Sequence, residues 1–396
     1  MKERLLKIFI LLEEYSLYGI LFFLPISKAI LETWFCFAIL GFLGKKIIKP
    51  DFKVFKSWPN LFLLMFFCFT ALSLLNSGQY ISKSLIALFL KWGKYISVFL
   101  LFQDGLSDKG KIKKAIIVFL ISASLVSIDS IFQLFTGFDF FRHKNSIDMG
   151  NGVYALRAAF NNYNSLAAYL VVSLSLMVVY LNKLKGRMKI ILAWAILIIS
   201  GAAFLCTFSR GGWLGFSFAL LLILIMLPKA KNILIFLAIF FAVILAIPET
   251  RERFIFIFKP GGDANRFINW QIALQMIKER PFLGKGVGLF MDYFPRMNGV
   301  IIGYAHNCFL QIWAETGIFS LLSFLGFLIT FFGRGVKVFL KTKDLLILGL
   351  LAGLFGFTVH SFLDTHFYSL QLAYLFWSIA GILFALTRAE HSYQGD

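Results

Sequence analysis

The sequence predicts an all-α, polytopic integral membrane protein with about 12 transmembrane helices in a single domain over residues 1–396. Three observations carry this. Hydrophobic residues make up 59% of the chain and charged residues only 15%, where soluble domains carry roughly 25% charged residues. The mean hydropathy is +0.82, and 49 phenylalanines suit lipid-facing helices better than a water-soluble core. Apolar runs also follow one another at about the 20-residue length that crosses a bilayer.

The runs fall near 8–25, 27–44, 59–76, 81–102, 113–135, 164–182, 188–206, 211–227, 231–248, 316–333, 345–362 and 366–387. Glu13 and Glu14 weaken the first, and no small-residue cleavage site follows it, so it is expected to stay as an anchor. Lys91 and Lys94 make the fourth amphipathic, suited to a polar cavity or to snorkelling. No repeat of 20–50 residues emerges, and no linker marks a second soluble domain.

The formal net charge of +19 raises nucleic acid as a partner, but its placement argues against one. Lysines and arginines cluster between runs: Lys45, Lys46, Lys49, Lys53 and Lys56; Lys109, Lys111, Lys113 and Lys114; Lys183, Lys185, Arg187 and Lys189; Lys229 and Lys231; Arg334, Lys337, Lys341 and Lys343. This is the positive-inside pattern of cytoplasmic loops. It places both termini in the cytoplasm and leaves three segments outside: about 136–163, the turn at Ser209-Arg210, and a polar loop over 249–315.

That loop carries the chemistry-bearing residues. Asp263 or Asn265 caps an expected helix up to Arg280, with Phe267, Trp270, Ile272, Leu274 and Ile277 as its apolar stripe and Pro281 as its stop. Arg266 opens this helix, and a guanidinium fork near a helix N-terminus matches phosphate oxygens, though a solvated arginine reads the same way. Arg210, followed by two glycines that permit close backbone approach, is either an interfacial anchor or a contact for a bound group. His306 is either a structural residue or a base that takes a proton near neutral pH. Asn307 caps the next helix or orients a hydroxyl, and Glu315 lies about two and a half turns further on.

Gly284, Gly286 and Gly288 lack the spacing and βαβ context of a nucleotide loop and are expected to form a flexible turn. His360, Asp364 and His366 match no metal motif such as HExxH and are expected to hydrogen-bond helix ends, or to support the acceptor side of a site. The cysteines at 36, 68, 206 and 308 have no paired spacing, so neither a disulfide framework nor a thiolate metal site is expected.

An ordered series of segments resembles the O-antigen ligase and O-antigen polymerase superfamily. It runs FNNYNSLAAYL (160–170), FSRGGWLGF (208–216), Arg266 with Trp270, RPFLGKGVGLF (280–290) and HNCFLQIWAETG (306–317). The resemblance implies a lipid-linked-donor, GT-C-like glycosyltransferase in the bacterial inner membrane, with a periplasmic helical loop carrying the site. It implies transfer of a glycan from undecaprenyl pyrophosphate to a lipid A-core hydroxyl, inverting, with neither nucleotide nor metal, and no cofactor. Carried onto this sequence, Arg210 and Arg266 hold the donor pyrophosphate, and His306 activates the acceptor. Arg157 is a third anion contact, and Asn162, Asn307 and Glu315 are supporting residues. An O-antigen polymerase, another lipid-linked glycan transferase, or a polytopic transporter or flippase are the alternatives.

Overall fold

The computed structural model describes residues 1–150, 152–181, 184–227, 231–255, 264–293 and 303–392. Lys183, Lys229, Asp263 and the side chain of Asn265 lie outside the described residues. A helix occupies each expected apolar run. In chain order they are α1 (Lys2–Phe23), α2 (Lys28–Ile48), α3 (Trp58–Leu72), α4 (Ile81–Ala87), α5 (Lys94–Gly105), α6 (Lys109–Thr136), α7 (Tyr163–Tyr180), α8 (Arg187–Leu205), α9 (Arg210–Met226) and α10 (Lys231–Ala246). After α11 (Pro248–Ile255), α12 (Ala264–Glu279) and α13 (Phe290–Tyr293) come α14 (Cys308–Thr342), α15 (Leu345–His360) and α16 (Leu370–Ser392). Among the described residues, 7 helical stretches are long and apolar enough to cross a membrane, and 3 shorter apolar helices accompany them.

Local chemistry sets where the helices start. Ser57, Asp108, Asn162, Ser209, Asn307 and Asp344 sit at N-caps, each side chain accepting a hydrogen bond from a backbone N–H of the first turn. Such caps satisfy donors that have no partner within the helix. The glutamates that weaken the first run are explained by partners. Glu13 pairs with Lys45, and Glu14 lies 3.0 Å from Lys111. Lys45 and Lys46 lie 2.6 and 2.8 Å from Asp104. Lysines of the first two basic clusters thus neutralise the carboxylates in the middle of α1 and at the end of α5.

Helices α7, α15 and α16 form the centre, buried nearly all round, while α8 exposes most of its surface. Helix α15 packs against both α7 and α9, α14 against α3, and α16 against α5. The α9–α15 crossing is unusually close. An ideal Cβ on Gly215 would stand 2.5 Å from the Gly356 carbonyl oxygen, and one on Gly211 would stand 2.5 Å from the His360 ring. Small residues at such crossings let backbones meet where lipid supplies no hydrophobic push.

Three expectations need correction. The run expected to begin at 316 begins at Cys308, and the helix breaks at Gly317, whose φ of 83° and ψ of 173° are non-helical. The apolar stripe on α12 is also different: Asn269, Ile272, Ala273, Met276 and Ile277 are buried, while Phe267 and Leu274 are exposed. Positions 272 and 274 are about 200° apart around a helix, so one face cannot bury both.

The glycine turn expected to be flexible is tied down. Lys285 and Gly286 donate backbone N–H groups to the Ala314 and Glu315 carbonyls at 3.0 and 2.9 Å. The Asn76 amide donates to the Gly284 carbonyl at 2.8 Å, and Val287 N–H donates to Ser73 Oγ at 3.1 Å.

The break in α14 makes room for this turn. An ideal Cβ on Gly317 would stand 2.0 Å from the Phe282 carbonyl oxygen, at a φ that side chains resist. Gly317→Ala is therefore expected to destabilise the protein by about 1–3 kcal/mol from backbone strain alone. A thermal unfolding midpoint in detergent that is unchanged from wild type would refute this account of the break.

Candidate functional site

The candidate residues meet around a short turn, 361–369, between α15 and α16. Two helix N-termini are anchored beside it. Ser209 caps α9, its hydroxyl donating to Asn164 Oδ1 at 2.7 Å and lying 3.5 Å from His360 Nε2. This puts Arg210, the first residue of α9, against the end of α15. Asn307 caps α14 with 3.0 Å bonds from the N–H groups of Phe309 and Leu310. Cys308 N–H donates to the Ser361 carbonyl at 2.9 Å, and its thiol donates to the Asp364 carbonyl at 3.3 Å. Helix N-termini carry partial positive charge and unpaired N–H groups, so the turn lies in surroundings that favour anions.

The residue before each of these caps is strained. Phe208 and His306 have φ of 52° and 50°, the left-handed region that non-glycine residues seldom occupy. The turn this imposes on His306 brings its ring to Asp364, with Nδ1 at 3.2 Å from Oδ1. The His306 side chain keeps 37% exposure while that of Asp364 keeps 11%. A buried carboxylate thus holds one edge of the ring and leaves the rest open to a second reactant.

Electrostatics assigns the proton on that ring. Burial alone would push the Asp364 carboxyl up, but the His306 hydrogen bond and the charges of His366, His306 and His360 outweigh it and hold it below the usual carboxylate range. An ionised carboxylate only accepts, so Nδ1 of His306 is the donor in this bond. His366 sits just behind, its pKa pushed down to about 4 by burial, with the Asp364 charge opposing and those of His306 and Arg266 adding to the fall. The Arg266 charge, from the start of α12, acts on the same ring.

His360, Asp364 and His366 are buried and present ring nitrogens and a carboxylate oxygen within 4.8 Å of one another. This is a donor set that a divalent cation takes. The Arg266 charge, however, acts on both rings.

The structure therefore brings the segments of Arg210 and His306 to the same end of α15, through Ser209 beside His360 and through His306 on Asp364. Glu315 supports them from behind. It is buried and accepts from Gly288 N–H at 2.9 Å, Phe290 N–H at 3.3 Å and the Gln311 amide at 3.1 Å, clamping the glycine turn to α14. Asn307 and Asn162 act as caps, Asn162 accepting from Ser165 N–H at 2.7 Å. Arg157 is placed differently from the other arginines. Its Nε and Nη1 donate to the Asn145 and Asn161 carbonyls at 2.6 and 3.1 Å, bracing the 137–162 loop. Asp364 is the partner that sequence reasoning left as a helix-end hydrogen bonder. It lies 58 positions from His306, and no local pattern joins the two.

Residues 195–325 match the family model described as O-antigen ligase. The matched stretch contains Arg210, Arg266, the glycine turn, His306 and Glu315, and it stops short of Asp364. It supports the O-antigen ligase family and a glycosyltransferase-like enzyme of the O-antigen ligase and polymerase kind, in a membrane. No curated protein matches the chain.

The buried His366 makes stability depend on pH. Its folded pKa, about 4, lies below the ordinary histidine value of 6.5, so between these values the unfolded chain binds a proton that the folded chain refuses. Stability is complete above the upper value and is lost as pH falls toward the lower one, by about 3 kcal/mol in total. Thermal unfolding in detergent from about pH 7 to about pH 4.5 should show this decline, and His366→Gln should make it shallower. An equally steep decline in His366→Gln would assign the effect elsewhere.

Proposed function

From the premise that this chain carries the O-antigen ligase family segment at residues 195–325, we propose that it is a ligase. It transfers a glycan from undecaprenyl pyrophosphate to a hydroxyl of a lipid A-core sugar. The observation that carries this reading is the His306–Asp364 pair, part-exposed and set between two helix N-termini. The basic clusters at the opposite helix ends support a periplasmic location for the site, with both termini in the cytoplasm.

The donor is an anionic head on a long apolar tail, and α9 offers a match for both parts. Arg210 heads a lipid-facing stripe of Leu214, Phe218, Leu221 and Ile225, all exposed and spaced along one helical face. Pyrophosphate at Arg210 would leave the polyprenyl chain lying along that stripe. Arg266 would close on the phosphates from the periplasmic side.

The reaction follows from these positions. The acceptor hydroxyl oxygen attacks the anomeric carbon of the donor sugar and gives its proton to His306 Nε2. The bond from that carbon to the phosphate oxygen breaks, and undecaprenyl pyrophosphate leaves with its added charge facing Arg210 and Arg266. One direct displacement inverts the anomeric centre. The linkage is already activated, so neither nucleotide nor metal enters a step. Fixed cations in a partly dehydrated cleft stabilise the departing charge more than water does. Holding the hydroxyl against the anomeric carbon lowers the barrier further. An O-antigen polymerase would use the same pair on a different acceptor, a second lipid-linked glycan.

The test is transfer by purified protein in detergent with undecaprenyl-pyrophosphate glycan and lipid A-core. His306→Ala should lower kcat by about 10²–10⁴-fold, the usual worth of a general base. Arg266→Ala and Arg210→Ala should each lose about 10²–10³-fold, as loss of an oxyanion contact does. Asp364→Asn should lower kcat with KM little changed, because it misdirects the ring without touching either substrate. Chain lengthening of the donor, with lipid A-core left unmodified, would make the protein a polymerase. Full activity in His306→Ala would remove the base from the mechanism.

A further inference from the structure

A groove at the other end of the bundle is shaped for an amphipathic ligand. It has a volume of about 640 Å³ and lies between α2, α3 and the α4–α5 helix, with walls that include Phe35, Phe67, Leu90 and Ser97. A wide π turn at Leu88–Gly93 opens it, and Gly93 adds no side chain to fill the space. Toward the start of α3 it runs into a second hollow of about 490 Å³ bounded by Lys56, Ser57 and Trp58, the two sharing Phe55, Asn60 and Leu64.

Two features of this groove point to a ligand with a polar, negatively charged end. Both side-chain polar atoms of Asn60, Oδ1 and Nδ2, are buried and have no hydrogen-bond partner, although the residue lines both hollows. An amide left unsatisfied in an apolar setting is costly, and a leucine of similar shape would avoid that cost. Lys56 bounds the second hollow, and Lys49 and Lys53, exposed like it, lie in the same loop together with one carboxylate, Asp51. Exposed Trp58 stands beside them, and tryptophan at such a boundary marks the headgroup level of a bilayer.

We infer that this groove is a binding site for one anionic glycerophospholipid. The phosphate sits among Lys49, Lys53 and Lys56, the glycerol ester region bonds the Asn60 amide, and an acyl chain follows the apolar walls past the π turn. An anionic headgroup is chosen over a zwitterionic one by the excess of lysine at the mouth. The site is separate from the catalytic one: α3 starts at this mouth, and the Ser73–Asn76 turn after its far end holds the glycine turn behind Glu315. Bound lipid would therefore brace the helix that supports the opposite site.

The experiment is native mass spectrometry of delipidated full-length protein with dioleoyl phosphatidylglycerol or dioleoyl phosphatidylcholine. Wild type should retain one phosphatidylglycerol with about fivefold preference per lysine contact. Lys56→Glu should lower that preference by about fivefold or more. Asn60→Leu should lose retention while the lipid-free protein unfolds at an equal or higher temperature, since the substitution removes an unsatisfied amide. A Lys189→Glu control on α8 should behave as wild type. Equal retention of the two lipids by wild type overturns the inference without reference to any variant, as does an undiminished preference in Lys56→Glu.

Discussion

The ionised carboxylate of Asp364 is the interaction on which the functional end of the molecule depends. It is buried where α15 stops and α16 has yet to begin, and it binds the His306 ring that precedes α14. A buried charge survives only where other groups compensate its lost hydration. Here His306 does so, together with the charges around it, and the N-terminus of α14 docks on the same turn through Cys308. Helix α9 reaches this place because Gly211 and Gly215 let it lie directly on α15. The strain at Phe208 and His306 is a consequence: both residues turn the chain sharply so that a capped helix can start against the same point.

Charge is segregated along the bundle, and that segregation explains the rest of the architecture. At one end lysines neutralise Glu13, Glu14 and Asp104 and still leave an excess. At the other end histidines gather around Asp364. Between them the helices are apolar, with α7, α15 and α16 buried in protein and α8 turned outward. In the proposed function, Arg210 and Arg266 draw in the phosphorylated, lipid-linked donor. Glu315 contributes indirectly, by fixing the glycine turn that would otherwise need water to satisfy its N–H groups.

Most of the fold was legible in the sequence because a bilayer leaves few options. Backbone groups in hydrocarbon must be paired internally, so an apolar run of sufficient length becomes a helix. The runs and their order could be read from composition alone. Their ends were less clear: the helix after His306 starts earlier than apolarity suggests, because Asn307 caps it and the break comes later, at Gly317. The buried face of α12 was misread through residues two positions apart. Arginine and histidine outside the basic loops stood out in the sequence because they go against the positive-inside pattern.

What the sequence by itself determined is the membrane class, the succession of helices and the residue types able to handle phosphate and protons. Those properties depend on hydrophobicity and charge within short windows, which any stretch of chain carries with it. What only the tertiary structure decided is which of those residues meet. Asp364 became the partner of His306, Arg157 became a brace for its loop, and the glycine turn became a fixed support. Each outcome depends on how α9, α14 and α15 cross, and a crossing is set by side-chain shape at contacts distant in the chain.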